Sequence, residues 1–217
     1  MANEPKQITF SCWIDADLPA FVALESLYRE SFAALGYAFA MVSKPPLRSL
    51  AEANSGMTDG ECARVSNYPD AAPNSPLKRI DVMIAKTNLD AWSYDNTIKL
   101  NGPVSLINSK YKIAYGKGAV AMQLLLSRLP LENLQPVSSI ALGIKMLVRK
   151  RFDVLISPRA IFKQELARNP VDVELYFVGT ILELEGYPYL HERHEDITAA
   201  FTEELRKRTP EGGLTLP

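Results

Sequence analysis

Short apolar runs of strand length alternate with longer segments whose apolar residues recur at helical spacing. That alternation predicts an α/β protein built mainly on parallel sheets. Residues 7–13 read as a first strand. Asp17 as a cap and Pro19 at an early helical position open a helix carried by Phe21, Leu24, Tyr28 and Leu35, which Gly36 ends. Residues 37–42 form a short buried strand, Pro45 and Pro46 precede a helix over 47–54, and Gly56 and Gly60 flank a turn into a strand at 61–65. The Asn-, Asp-, Ser- and Pro-rich stretch 66–76 reads as a surface loop. Residues 80–86 resume as a strand, and 87–108 read as a polar connection.

A second series then follows: a strand at 110–115, helices over 119–129 and 138–149, a strand at 152–157, a helix over 159–168 and a strand at 173–178. A last amphipathic helix carries Ile197, Phe201 and Leu205 four residues apart. Two successive α/β units with no sequence repeat suggest two lobes, although one doubly wound sheet would give the same string of elements.

Composition narrows the partners. Lys and Arg total 24 against 25 Asp and Glu, so the uniform basic surface needed to bind phosphate backbones is missing and nucleic acid is not expected. The longest nearly apolar stretch, 32–42, is broken by Gly36 and falls short of the roughly 18 residues of a membrane span. The opening Met-Ala-Asn-Glu-Pro shows no export signal, a reading that fits a cytosolic protein and a mature exported one equally.

Catalytic patterns are thin. No G-x-S-x-G elbow occurs, and Tyr115-Gly-Lys-Gly-Ala119 lacks the spacing of a phosphate-binding P-loop. That glycine turn is either a plain strand-to-helix turn or an anion seat made by free backbone N–H groups. His191 and His194 are spaced three apart among charged neighbours. They read as a solvated face, with no metal site and no catalytic residues expected. Trp92 is expected to pack in the polar connection.

Four segments carry a resemblance: Arg48-Ser-Leu-Ala-Glu-Ala-Asn-Ser-Gly56 followed by Asp59-Gly60-Glu61 and Arg64-Val65; Ile113-Ala-Tyr-Gly-Lys-Gly-Ala119; the helix 139–149 leading into Arg151-Phe152-Asp153-Val154; and Tyr189-Leu190-His191 with the terminal helix behind it. In this order and at these distances the chain resembles the type II periplasmic solute-binding proteins, in particular the polar amino acid branch (extracellular solute-binding family 3). The resemblance implies a two-lobed α/β fold with a ligand cleft between the lobes, residues 1–90 plus 184–217 forming lobe 1 and 91–183 lobe 2. The crossings would fall near 87–95 and 178–184.

Ligands of open parallel sheets bind beyond the carboxyl ends of the strands. On that fold the candidate ligand-binding residues are Trp13, Asp15, Arg48, Arg64, Ser66 and Tyr68 from lobe 1. Lobe 2 adds Tyr115, Lys117, Gly118, Ala119, Ser157 and Arg159. Arg64 would grip a ligand carboxylate at two points, so its removal would cost affinity and leave the fold intact. Arg48 could instead cap or brace its own helix against the lobe, and that is its favoured role. The acidic residue with which amino-acid-binding members hold an ammonium is replaced here by Ser157-Pro158-Arg159, and Ala119 and Val120 stand where hydroxyl residues are usual. With Arg48, Arg64, Lys117 and Arg159 nearby, the ligand is expected to be anionic or neutral and polar.

The function implied is reversible capture of a small molecule by hinge closure, for an ABC-type transporter or a membrane sensor, by a periplasmic monomer needing no cofactor. The alternatives are a dehydratase-like enzyme on the same fold and a degenerate lobe pair serving only protein interaction. Cys12 and Cys62 would lie toward strands one and three of lobe 1. Two buried thiols are the favoured reading, with a bridge allowed in an oxidising compartment.

Overall fold

The computed structural model describes residues 6–118, 122, 125 and 131–214. The chain divides into two compact units, unit 1 comprising Met1–Lys86 and Glu185–Pro217 and unit 2 comprising Thr87–Leu184.

In unit 1, strands β1 (Gln7–Cys12), β2 (Ala38–Ser43) and β3 (Gly60–Val65) run parallel in the order β2-β1-β3. Helix α1 (Pro19–Ala33) connects β1 to β2 and helix α2 (Pro46–Asn54) connects β2 to β3, as right-sized crossovers require. A one-turn helix α3 (Tyr68–Ala71) and a short strand β4 (Leu77–Arg79) follow. β4 and β3 both pair antiparallel with the returning end of β9 (Tyr176–His191). Phe10, Tyr28, Phe32, Phe39 and, from the terminal helix α7 (Glu195–Arg208), Phe201 make the aromatic centre of this core. The Phe32 and Phe201 rings stack at 4.1 Å. Gly60 has to be glycine for room: a Cβ there would sit 2.4 Å from the Tyr189 carbonyl oxygen.

The Cys12–Cys62 pair is a disulfide, with Cα atoms 5.0 Å apart, which corrects the expectation of two buried thiols. The reason lies in register. Ser11 pairs with Glu61 across β1 and β3, so the next residue on each strand is a cysteine, and both point to the opposite face of the sheet from that pair.

Unit 2 orders its strands β5 (Ala85–Ser93), β8 (Val154–Pro158), β6 (Ile113–Gly116) and β7 (Leu134–Val137), the last three parallel and β5 antiparallel to β8. Unit 2 also holds helices α4 (Gly102–Ile107), α5 (Ile140–Val148) and α6 (Arg159–Arg168), a 3-10 turn at Leu131–Asn133 and the first part of β9. Successive residues of β8 enter opposite cores. Val154 and Ile156 pack with Ile113, Leu106 and Val178, whereas Leu155 packs with Ala114, Phe152 and Phe162. A strand covered on both faces reads as an unbroken apolar run, which is what Val-Leu-Ile is.

Several local readings change. The strand expected at 80–86 is absent: β4 ends at Arg79, the Val82 N–H donates to the Ile80 carbonyl in a tight turn, and β5 starts at Ala85. The polar connection expected over 87–108 holds most of β5 and all of α4, and Trp92 is stacked on Phe162 at 4.0 Å inside the unit 2 core. The helix expected over 119–129 lies outside the described residues except for Met122 and Leu125. Among the described residues no helix is long and apolar enough to cross a membrane.

One tie fastens the start of the terminal helix to the sheet of unit 1. Asp59 accepts from the Thr9 N–H at 2.7 Å, lies 2.6 Å from His194 Nε2 and pairs with Arg193. Burial pushes the Asp59 carboxyl up, but these three partners together outweigh it and hold the group below its ordinary range. A carboxylate with a depressed folded-state pKa stabilises above its unfolded value, about 3.9, and loses that contribution as pH falls through the folded value. Asp59→Asn is therefore expected to cost about 1–2 kcal/mol at pH 7, since Arg193 is partly solvated, and the deficit should shrink as the pH falls below about 3.9. Urea denaturation of both proteins at pH 7 and pH 3 measures it.

Candidate functional site

Each unit ends its parallel strands on one edge, and the candidate residues of that unit gather along it. In unit 1 the Trp13 indole N–H, just past β1, donates to the Ala63 carbonyl at 3.0 Å, so the ring is fixed beside β3. Asp15 is exposed, its carboxylate accepting from the Asp17 N–H in a local turn. Ser66, Asn67, Pro69, Asp70, Arg79 and Asp81 line an open depression of about 540 Å³ just past β3. Tyr68 turns inward instead. It is buried, its hydroxyl accepting from Asn54 at 3.1 Å and donating to Ser75 at 3.3 Å.

Two candidate guanidiniums of this edge, Arg48 and Arg64, are held by carboxylates. Arg48 is exposed and pairs with Glu52 one helical turn on, at 2.7 Å. Arg64 is only 7% exposed; it pairs with Glu61 at 2.7 Å and donates to the Pro46 carbonyl at 3.1 Å. Glu61 is wholly enclosed and also accepts from the Ser11 and Ser49 hydroxyls at 2.9 and 2.8 Å. Burial pushes the Glu61 carboxyl above its ordinary pKa, against the opposing pull of Arg64 and the two serines.

In unit 2, Tyr115 lies next to the end of β6 with its ring against the core, the Lys117 N–H donates to the Val137 carbonyl at 2.8 Å, and the Lys117 side chain is exposed. Gly118 has φ +86°, a left-handed conformation that glycine adopts without strain. Ala119 lies outside the described residues. Ser157, the residue before the strand-ending Pro158, is buried, and its hydroxyl donates to the Pro158 carbonyl at 3.2 Å.

Arg159 opens α6 and reaches across to β5. Its Nε donates to Asp90 Oδ2 at 2.5 Å and its Nη2 to Asp90 Oδ1 at 3.3 Å, while the Thr180 hydroxyl donates to the same Oδ1 at 2.9 Å. The Asp90 carboxylate holds the Arg159 guanidinium above even its usual pKa. Asp90, Thr180 and Glu61, the partners of Arg159 and Arg64, are residues that the sequence reading passed over. For Asp90 a signal existed, the alternation of Leu89 and Ala91 around it, but an ionisable residue at its centre hid a strand inside a stretch that looked polar. Elsewhere His191 Nδ1 accepts from the Arg193 N–H at 3.2 Å. No metal-holding cluster of His, Cys, Asp and Glu occurs among the described residues.

No family model matches the chain. An uncharacterized protein of Shewanella oneidensis is 30% identical to it over 191 residues, which cover 87% of this chain and 71% of that protein. Among solved structures, the truncated arginine-bound ArgBP of T. maritima is similar with a TM-score of 0.72 at 13% identity, over 93% of this chain and 95% of that one. A histidine kinase sensor domain with similarity to periplasmic binding proteins gives 0.75 at 14% identity, over 93% and 90%. The GluR0 ligand-binding core in complex with L-glutamate gives 0.75 at 10% identity, over 95% and 93%. The chain thus has the two-lobed α/β fold of the type II periplasmic binding proteins.

Proposed function

We infer that this chain, which belongs to one family with the uncharacterized Shewanella oneidensis protein, is a solute-binding protein that captures a small polar or anionic molecule by hinge closure and does no chemistry on it. The observation that carries this reading is the fold. Two α/β units are connected by chain crossings within β5 and β9, and this arrangement is similar over 93% of the chain to a protein solved with arginine bound. Closure of two such bodies needs only a few backbone angles to change at the crossings, and the solute favours the closed state by the contacts that closure adds.

Under this reading the solute meets Trp13, Asp15 and Ser66 in unit 1, where Tyr68, Arg48 and Arg64 are held by Ser75, Glu52 and Glu61. In unit 2 the candidate contacts are Tyr115, Lys117, Gly118, Ser157 and Arg159, with Ala119 outside the described residues. The Cys12–Cys62 bridge supports a location outside the reducing cytoplasm, where such a protein would serve a membrane transporter or sensor.

A thermal-shift screen of amino acids, organic acids and sugars tests the reading. A true ligand at a hundred times its dissociation constant should add about 2.7 kcal/mol of stability. It should also be recovered chemically unchanged after prolonged incubation. Turnover of the compound would favour the dehydratase-like alternative, and no shift from any class would remove the solute-binding reading.

A further inference from the structure

The solute's chemical class can be taken further, on the footing of the solute-binding reading. The Asp90–Arg159 pair is asymmetric. Asp90 is wholly enclosed and the Arg159 side chain is 40% exposed, so the negative member faces inward and the positive one outward. Nε and Nη2 are engaged by Asp90 and Thr180, whereas Nη1 makes no hydrogen bond among the described residues. The guanidinium carbon lies 5.4 Å from the centre of the Phe177 ring. Phe177 is itself 48% exposed, an unusual position for so large an apolar side chain, and it is propped edge-on by Trp92 at 5.9 Å.

A guanidinium fixed along one edge by a carboxylate, by a hydroxyl and on one face by a ring has already lost its rotamer freedom. Binding a second anion on the outer edge then costs little further ordering.

We propose that Arg159 is the acid-recognising group of unit 2, taking a carboxylate of the solute on its outward Nη1 edge, with Asp90 and Thr180 as positioning residues and Phe177 covering one face. The solute is on this account a carboxylic acid, and Arg159 is what separates it from the corresponding amide. Lys117 is exposed in the same unit and adds positive charge, although charge alone would not distinguish a planar two-oxygen acceptor from any other anion.

Calorimetric titrations of the whole chain with three acid and amide pairs test this: succinate and succinamide, benzoate and benzamide, L-glutamate and L-glutamine. At least one acid should bind about thirtyfold more tightly than its amide, and Arg159→Gln should erase that ratio. Because Arg159→Gln leaves Asp90 enclosed without a cation, Arg159→Lys is measured beside it. It keeps the charge but not the planar edge, and should fold and still lose most of the ratio. Phe177→Leu should lower the ratio with the melting temperature unchanged, a result that a purely structural ring would not give. Equal binding of acid and amide, or an undiminished ratio in Arg159→Lys, would overturn the proposal and leave solute binding standing. Silence from all six probes would also overturn it, and the wider thermal-shift screen would then decide the solute-binding reading separately.

Discussion

Arg64→Ala is expected to destabilise unit 1 by about 3–5 kcal/mol, the loss typical of removing one member of a buried ion pair. Glu61 is completely enclosed, and among the described residues the Ser11 and Ser49 hydroxyls are what remains to satisfy it without the guanidinium. In a chain of this size each kcal/mol moves the melting temperature by roughly 2–4 °C, so the drop is large and easily measured by calorimetry. The sequence alone predicts the opposite, a binding defect with an unchanged melting temperature, because an arginine at a strand end gives no hint that a glutamate three residues earlier points the same way.

The Arg64→Ala penalty should also depend on pH with a defined sign. A carboxyl whose folded-state pKa is raised binds more protons folded than unfolded. Stability is then fullest below the unfolded value, about 4.3, and falls as pH rises through the folded one. Loss of Arg64 removes the main force holding the Glu61 pKa down, so the variant should recover part of its deficit on acidification from pH 7 to pH 5. The double variant Glu61→Gln with Arg64→Met removes both charges and keeps an acceptor for the serines, and should recover most of it at pH 7.

Reducing the Cys12–Cys62 bridge is the second large expected effect. The bridge closes a loop spanning 50 positions of sequence, for which chain entropy gives about 4 kcal/mol. Cys12→Ser with Cys62→Ser should lower stability by a comparable amount, and adding reductant to the double variant should change nothing further. Mass measurement after alkylation in denaturant without reductant should show no adducts on the parent protein. Two adducts would mean that the cysteines are free thiols.

Much of the fold could be read from the sequence because both units are built from segments with one clear period. The helix over Arg159–Arg168 and the terminal helix with Phe201 and Leu205 facing inward needed nothing beyond residue spacing. What escaped was polar and buried. β5 looked like a connection because Asp90 and Ser93 interrupt it, and both are tolerable there through partners far along the chain, Arg159 and Thr180 for Asp90 and the Asp153 carbonyl for Ser93. β7, whose register with β6 places Pro136 opposite Tyr115, carries no alternation at all. The candidate edges were legible as strand ends, whereas the pairing of each arginine with a particular carboxylate was not. Those pairs join residues 3, 4 and 69 positions apart, and only the folded chain decides which meet.

Hinge closure over a solute is the central claim, and small-angle X-ray scattering of the whole chain tests it most directly. The account predicts that the radius of gyration falls when the compound giving the largest thermal shift is added at saturation, and returns to its starting value when that compound is dialysed away. A radius of gyration that stays constant while the same compound binds would contradict it.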